Sequence, residues 1–314
     1  MVAGGGDDDI ALGMIGVSEG NGHPYSFSSI INGYSDEGLA NAGWDVIYDY
    51  VSAKDPSEIG FENVTITHAW TQHPEETERL CAAAEIPHAV TEPEEMHGMV
   101  DGVIIARDDY ETHYELAMPF LEAGTPVFLD KPLSLDPAEV RAFRPYLEQG
   151  RFMSCSGMRF ARELDVPRTQ LDRYGEVTLI RGAVLNDWAH YGVHMLDAML
   201  ELVEQRPVAV TAHRATHDSV TIELDDGTLL QVDALGEVPM TFAIDIYGST
   251  RTSSHELRDN FTAFRRTLWR FVEMVRDEVP PIDPEATLDV MRVLIAGHRS
   301  RLEHQRISLD EVNL

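Results

Sequence analysis

The stretch Ile10–Gly22, with the sequence IALGMIGVSEGNG, decides the predicted fold. An apolar run of strand length ends in Gly16, a glycine-containing loop follows, and a helical pattern begins near Pro24. This order opens a dinucleotide-binding fold, in which the amides at the helix N-terminus attract phosphate. Ser18 and Asn21 occupy the second and third glycine positions of G-x-G-x-x-G, so a purely structural glycine turn is the alternative.

Strands and helices alternate over the first half of the chain. Predicted strands cover residues 10–16, 63–70, 100–106, 126–129 and 152–156, and predicted helices cover 24–32, 74–84, 110–122 and 137–148. Such alternation is typical of a doubly wound parallel sheet. We therefore predict an α/β protein with a Rossmann-type dinucleotide-binding domain at residues 1–157.

The pattern changes after residue 157. Predicted strands at residues 176–185, 207–215, 218–224, 228–235 and 241–247 have little helix between them, and two helical patterns follow at 260–278 and 285–303. Asp225-Asp226-Gly227 is a hairpin signal. We predict that residues 158–314 form an α+β domain for substrate binding and oligomerisation, with an open, mostly antiparallel sheet. Alternation leaves one sheet face rich in Val, Leu and Ile, so we expect a homo-oligomer, a dimer or tetramer, packed sheet against sheet.

The charge of the chain excludes several classes of partner. Its 24 Lys and Arg residues against 54 Asp and Glu residues give −30. This charge repels nucleic acids and anionic membranes. Lys54 and Lys131 are its only lysines, and this composition favours a salt-adapted, halophilic source. Cys81 and Cys155 are too few for a disulfide framework, and no targeting or membrane segment is predicted, so we expect a cytoplasmic protein.

Two segments carry residues suited to catalysis. Asp130-Lys131-Pro132 follows the fourth strand, at the sheet end where ligands bind. In the segment 187–197, helical geometry places His190, His194 and Asp197 on one face. A histidine oriented by a carboxylate can exchange protons, and a purely structural histidine is the alternative. No third metal ligand is identifiable, so no metal is predicted.

The strand ends also carry candidate ligand contacts. The second strand ends without the acidic residue that usually binds the ribose hydroxyls, and Thr71 stands there instead, which leaves NAD versus NADP open. Arg107 and Arg159 are candidates for holding an anionic group of the substrate. The alternative for each arginine is an ion pair with one of the many carboxylates.

Several of these segments, in this order, resemble the glucose–fructose oxidoreductase, inositol dehydrogenase and related (Gfo/Idh/MocA) family. The resembling segments are His113 before a helix ending Glu122-Ala123-Gly124, Asp130-Lys131-Pro132, Met158-Arg159-Phe160, Gly192-x-His194-x-x-Asp197, and the tail from Phe261 to Leu309. The resemblance implies a nicotinamide cofactor on the first domain and a sugar or polyol on the second. It also implies that Lys131 contacts both, that His194 exchanges the hydroxyl proton and that Asp197 orients the substrate. His190 stands where the family has an aspartate, and Asp187 is a candidate replacement.

We therefore predict an NAD(P)-dependent oxidoreductase that interconverts a secondary alcohol and a ketone on a sugar-like substrate. The alternatives are an NAD-dependent glycosidase that retains its cofactor and a non-catalytic binding or regulatory paralogue. The predicted catalytic residues are Lys131, His194 and Asp197. The predicted cofactor contacts are Gly16, Ser18, Gly20, Asn21, Gly22, Thr71, Arg107, Asp108, His113, Asp130 and Lys131, and the predicted substrate contacts are Arg159, Asp187 and His190.

The charge of −30 predicts that stability depends on salt. Folding brings the charges together, so self-repulsion lowers the free energy of unfolding, and salt screens that repulsion. We expect the midpoint of thermal unfolding to rise from about 0.1 M to about 2 M KCl, as the Debye length falls from about 10 Å to about 2 Å. Circular dichroism melts measure the midpoint, and a constant midpoint across the series contradicts the prediction.

Overall fold

The computed structural model describes residues 9–314, so the first eight residues of the predicted N-terminal domain lie outside the described residues. The chain divides into two compact units. The first unit contains the chain up to Asp130 together with residues 146–153 and 267–281, and the second contains residues 131–145, 154–266 and 282–314.

The first unit contains a six-stranded sheet. Its strands are β1 (Ile10–Ile15), β2 (Val64–Trp70), β3 (His88–Ala89), β4 (Gly102–Ile105), β5 (Val127–Leu129) and β6 (Phe152–Ser154). Their order in the sheet is β3-β2-β1-β4-β5-β6, and β1 pairs in parallel with both β2 and β4. This is the strand order of the Rossmann fold, so the predicted α/β class is confirmed.

Helices connect these strands. They are α1 (His23–Asn32), α2 (Asp36–Ala40), α3 (Asp45–Ser52), α4 (Pro74–Ala83), α5 (His113–Glu122) and α6 (Pro137–Glu148). Sequence analysis predicts neither α2 nor α3. Both lie between α1 and β2, and Trp44, the N-cap of α3, contacts the loop before α1: a Cβ on Gly22 would lie 2.7 Å from the Trp44 ring.

The second unit contains a seven-stranded sheet. The strands of the sheet are β7 (Val177–Val184), β8 (Pro207–His213), β9 (Asp218–Leu224), β10 (Leu229–Ala234), β11 (Phe242–Gly248), β12 (Thr252–Glu256) and β13 (Ile307–Ser308). The helices of this part of the chain are α7 (Asp165–Gln170), α8 (Trp188–Leu200), α9 (Asn260–Asp277), which continues into the first unit from residue 267, and α10 (Pro284–Glu303). The sheet order is β12-β11-β7-β10-β9-β8-β13, and only the described pair β7 and β10 runs parallel. The predicted hairpin at residues 225–227 is present, and Gly227 has a φ of 92°.

The two units are interleaved along the chain, whereas sequence analysis expects one boundary after residue 157. Residues 267–281 join the first unit because the C-terminal half of α9 packs on β4. A Cβ on Gly102 would lie 3.0 Å from the Phe271 ring and 2.9 Å from Val275. This contact joins residues far apart in sequence, so periodicity does not reveal it.

The apolar face of the seven-stranded sheet is covered within the same chain. Met195 and Met199 of α8 lie against Gly182 of β7, and α10 packs on both α8 and β8. The other face is mixed: on it, Arg181 donates hydrogen bonds of 2.9 and 3.0 Å to the buried Asp233, and Leu179 pairs in register with the exposed Leu229 and Tyr247. The helices α8 and α10 thus cover one face of the sheet, and the homo-oligomer packed sheet against sheet stays a prediction.

Among residues 9–314, no helix combines the length and the apolar character that crossing a membrane requires.

The contact between α8 and α10 depends on a glycine. The fully buried Trp188 donates from Nε1 to the Leu294 carbonyl (2.9 Å), and a Cβ on Gly297 would lie 2.4 Å from its ring. Because the hydrogen bond holds the indole in place, we expect Gly297→Ala to lower the free energy of unfolding by about 1–2 kcal/mol, although alanine favours helix by about 1 kcal/mol. Urea unfolding measures the change.

The control is Leu302→Ala on the same helix, where the side chain is exposed and the expected change is within about 0.5 kcal/mol. A Gly297→Ala protein as stable as the wild type would show that the two helices are not in this close contact.

Candidate active site

The loop between β1 and α1 is fixed at its second residue. Gln72, just after β2, donates from Nε2 to the Val17 carbonyl (2.6 Å) and accepts from the Val17 N–H (3.2 Å). Arg107, just after β4, donates from Nη1 to the same carbonyl and to Gln72 Oε1, both at 2.9 Å. The conformation of the loop is therefore set by side chains at the ends of the two strands adjacent to β1.

The two residues that replace motif glycines also hold this loop. The Ser18 hydroxyl donates to Asp108 (2.6 Å). Asn21 donates to Asp130 (3.2 Å) and accepts from the N–H of His23 (2.9 Å), and the His23 ring donates to Asp130 (2.5 Å). Ser18 and Asn21 thus connect the loop to the ends of β4 and β5, which glycine cannot do.

The loop and α1 fit the diphosphate of a dinucleotide. A Cβ on Gly16 would lie 2.2 Å from the Pro24 ring, so only glycine allows this approach of β1 to α1. Gly20 has a φ of 77° and open space around it. Among the α-helices of residues 9–314, α1 alone contains no Asp or Glu, in a chain with 54 of them. The positive end of its dipole therefore meets no acidic side chain of its own helix, which suits a phosphate.

Three predicted cofactor contacts have other roles in the structure. The Thr71 side chain is buried, and its hydroxyl donates to the His73 carbonyl (2.8 Å). His113 is fully buried, and its Nε2 donates to the Arg107 carbonyl (2.9 Å). Arg107 itself pairs with Asp109 (2.8 Å). These side chains have structural roles in the turns next to the loop, and the expected cofactor contacts of Thr71, His113 and Arg107, and the anion site at Arg107, stay predictions.

Two of the predicted catalytic residues meet around one ring in the second unit. The Lys131 ammonium lies 5.2 Å from the centroid of the Tyr191 ring, and the centroids of Tyr191 and His194 are also 5.2 Å apart. Phe242 contacts the His194 ring edge-on at 5.4 Å. Lys131 is 3% exposed and His194 is 6% exposed. We call Lys131, Tyr191 and His194 the ring cluster; sequence analysis missed Tyr191, because only contact with its neighbours distinguishes it.

Asp197, the third predicted catalytic residue, is bonded to the segment after β6. It accepts from the Ser156 N–H (2.7 Å) and from Arg159 (3.4 Å), and Arg159 also pairs with Glu201. Burial raises the pKa of Asp197 to about 6, even though the charge of Arg159 acts to lower it. Arg159 is 6% exposed and forms the ion pair that was its alternative role, and its contact with substrate stays a prediction.

His194 is bonded to Ser156 rather than to a carboxylate. The distance between His194 Nδ1 and Ser156 Oγ is 2.6 Å. Lys131 and Asp197 line one small cavity. The second unit therefore groups four polar side chains that can take part in proton exchange: Lys131, Ser156, His194 and Asp197.

His190 and Asp187 form a separate pair at the start of α8. Asp187 is the N-cap: its Oδ1 accepts from the His190 N–H (3.1 Å) and from the His190 ring (3.1 Å), and the hydrogen bond from the ring lowers the pKa of Asp187 to about 2. The side chains of His190 and Asp187 are 41% and 51% exposed, so His190 differs from the buried His194 one turn later. Within residues 9–314, no three His, Cys, Asp or Glu side chains are grouped to hold a metal ion.

Comparison with known proteins gives a consistent fold. The chain resembles solved structures of scyllo-inositol dehydrogenase from Lactobacillus casei with NAD(H) and scyllo-inositol bound (15% identity, TM-score 0.73, 96% of this chain and 100% of that chain) and myo-inositol 2-dehydrogenase from Lactobacillus plantarum (15%, 0.74, 96% and 99%). It also resembles a myo-inositol dehydrogenase from Corynebacterium glutamicum (16%, 0.73, 96% and 98%). At these identities the likeness shows the fold alone.

Sequence comparison matches one segment of the chain to a known family. No curated protein sequence matches the chain. Residues 47–150 match the model of an oxidoreductase family with an NAD-binding Rossmann fold, the Gfo/Idh/MocA family. This segment, about a third of the chain, is therefore similar to that family of NAD-binding oxidoreductases.

Proposed function

We propose that the protein is an NAD-dependent dehydrogenase that interconverts a secondary alcohol and a ketone on a polyol or sugar. The observation that carries the proposal is the ring cluster, because it holds an ammonium group and an imidazole on one aromatic side chain. Lys131 directly follows Asp130 in the sequence. Asp130 is hydrogen-bonded to Asn21, in the loop between β1 and α1, and to His23, the first residue of α1.

The reaction needs a proton acceptor and a cation at the reacting hydroxyl. NAD, when bound, supplies the hydride acceptor. His194 takes the hydroxyl proton, and the Lys131 ammonium stabilises the negative charge that develops on that oxygen. Tyr191 and Phe242 surround the imidazole with apolar surface, where such a charge interaction is stronger than in water.

Residues at the start of α8 support a substrate with several hydroxyl groups. His190 and Asp187 are polar, partly exposed and one helical turn from His194. In the Lactobacillus casei structure the bound molecules are NAD(H) and scyllo-inositol, a substrate of this class. We assign His190 and Asp187 to hydrogen bonds with substrate hydroxyls.

The end of β2 favours NAD over NADP. The residues that follow this strand are Thr71-Gln72-His73-Pro74-Glu75-Glu76, with two acidic residues in the first turn of α4 and no arginine or lysine. A 2′-phosphate at this strand end would be repelled by the glutamates. The family description also names NAD.

Substitution of the two ionisable members of the ring cluster tests the proposed function. We expect Lys131→Ala and His194→Ala each to lower kcat for polyol oxidation by roughly 10²-fold to 10⁴-fold. Affinity for NADH should be nearly unchanged, because the loop between β1 and α1 holds the nucleotide. Formation of reduced nicotinamide measures turnover, and fluorescence titration measures binding.

Lys54→Ala is the matched control, since it removes the only other lysine and should keep full activity. A His194→Ala enzyme that retains the wild-type rate would remove this histidine from the reaction and leave His190 as the candidate.

The raised pKa of Asp197 predicts a pH-dependent stability. Between its unfolded pKa of about 3.8 and its folded pKa of about 6, the folded state binds more protons than the unfolded state, so stability falls as pH rises through this window. The Asp197→Asn protein has no carboxyl at this position to titrate. We therefore expect the stability of the wild type, measured relative to Asp197→Asn, to decrease by on the order of 2 kcal/mol from pH 4.5 to pH 6 and to stay constant above about pH 7.

Urea unfolding at fixed high salt measures both proteins at each pH. Asp187→Asn is the control: because Asp187 has a folded pKa of about 2, its carboxyl is ionised in both states above pH 4.5, and its difference from the wild type should be flat. A flat Asp197→Asn difference would mean that Asp197 is not desolvated in the folded protein.

A further inference from the structure

Ser156 connects the two buried polar residues of α8. It lies two residues after β6 and is fully buried. Its hydroxyl oxygen is 2.6 Å from His194 Nδ1, and its N–H donates to Asp197 (2.7 Å). One residue therefore contacts both His194 and Asp197, which lie one helical turn apart.

The backbone fixes where the Ser156 hydroxyl stands. Ser156 caps the short 3-10 turn Gly157–Phe160, and its Oγ accepts from the Met158 N–H at 3.1 Å. On the other side, the Asp197 carboxylate holds the Ser156 backbone and is itself paired with Arg159. The hydroxyl oxygen thus has one hydrogen bond that does not involve His194, from Met158, and the Ser156 backbone is held by a second, to Asp197.

A serine hydroxyl at this place can match either state of the imidazole. When Nε2 carries the proton, the hydroxyl donates to Nδ1; when Nε2 is free or the ring is charged, Nδ1–H donates to Oγ. The hydroxyl changes between these roles by rotation about one bond. The hydrogen bond between Ser156 and Nδ1 therefore influences whether Nε2, the nitrogen that takes the substrate proton, carries a proton.

We propose that Ser156 is the positioning residue of His194, and that Asp197 acts on the histidine only through Ser156. This inference rests on the proposed function in so far as it concerns catalysis. Ser156 sets the orientation and the tautomer of the ring, and Asp197 and Arg159 hold Ser156. The charged and titratable groups around His194 within the second unit are Lys131 and Tyr191 on the ring side, and His190 and Asp187 one turn earlier on α8. Asp197 lies one turn later on α8, with Arg159 and Glu201 bonded to it.

The test reads the His194 ring directly and needs no substrate. Nitrogen NMR spectra of the full chain with labelled histidine report the protonation of Nδ1 and Nε2 in each histidine, and the loss of signals in His194→Gln assigns those of His194. We expect Ser156→Ala to change the His194 tautomer balance and its titration. Ser156→Thr, which keeps the hydroxyl, should restore the wild-type pattern.

Activity gives the second readout. We expect Ser156→Ala to lower kcat for polyol oxidation by about 100-fold, as for a misplaced catalytic group, with a small change in KM. Ser300→Ala is the matched control, because Ser300 is also a fully buried serine of the second unit with two hydrogen bonds, to Ala212 and Gln305. It should lower stability without changing the His194 signals.

The outcomes separate the two proposals. If Ser156→Ala does not fold, Ser156→Cys, which is close in volume and a weak hydrogen-bonding group, takes its place. His194 signals identical to those of the wild type in the folded variant would overturn the role of Ser156. A wild-type protein that binds NAD but oxidises no polyol would instead overturn the proposed function, and the NMR signals would still decide whether Ser156 positions the ring.

Discussion

The buried carboxylate of Asp197 is the interaction on which the candidate site depends. It is desolvated by α8 and by the segment after β6, and it is balanced by Arg159 and by the Ser156 N–H. Removing one partner of such a buried pair costs more than the pair contributes, because the remaining charge is left without compensation. The position of α8, and with it the position of His194, is therefore tied to this carboxylate.

Carboxylates also hold the loop between β1 and α1. Where a Rossmann loop usually has glycines, this chain has Ser18 and Asn21, and their side chains bind carboxylates at the ends of β4 and β5. The chain carries a large excess of acids, yet α1 contains none. Acidic residues of other segments thus hold the loop and the first residue of α1, and α1 itself contributes no acidic side chain.

The sequence predicted the sheet of the first unit well, because its strands are short apolar runs followed by glycine or helix signals. It also singled out Lys131 and His194, one through the scarcity of lysine and the other through its motif. It did not predict α2 and α3, which are only five and eight residues long and follow α1 before the second strand, where Trp44 contacts the loop. It did not identify Asp197 as the ion-pair partner of Arg159, because the two residues are 38 positions apart in the chain.

The seven-stranded sheet also shows that sequence patterns do not reveal contacts between elements. Alternation along β7 and β10 indicates an apolar face, which the structure contains. It does not say which element covers the apolar face, and here α8 and α10 do so. Ser156 had no signal at all, since a lone serine after a strand is common and only the distance to His194 distinguishes it.

The transfer of deuterium from substrate to nucleotide tests the central claim most directly. The purified full chain is incubated in high salt with NAD and with myo-inositol, scyllo-inositol or glucose that carries deuterium on its carbinol carbons, and the nucleotide is examined by mass spectrometry. We expect reduced nicotinamide that carries one deuterium from at least one of these substrates, formed by the wild type and formed roughly 10²-fold to 10⁴-fold more slowly by His194→Ala. Nucleotide that binds to the protein and gains no deuterium from any of them would contradict the account.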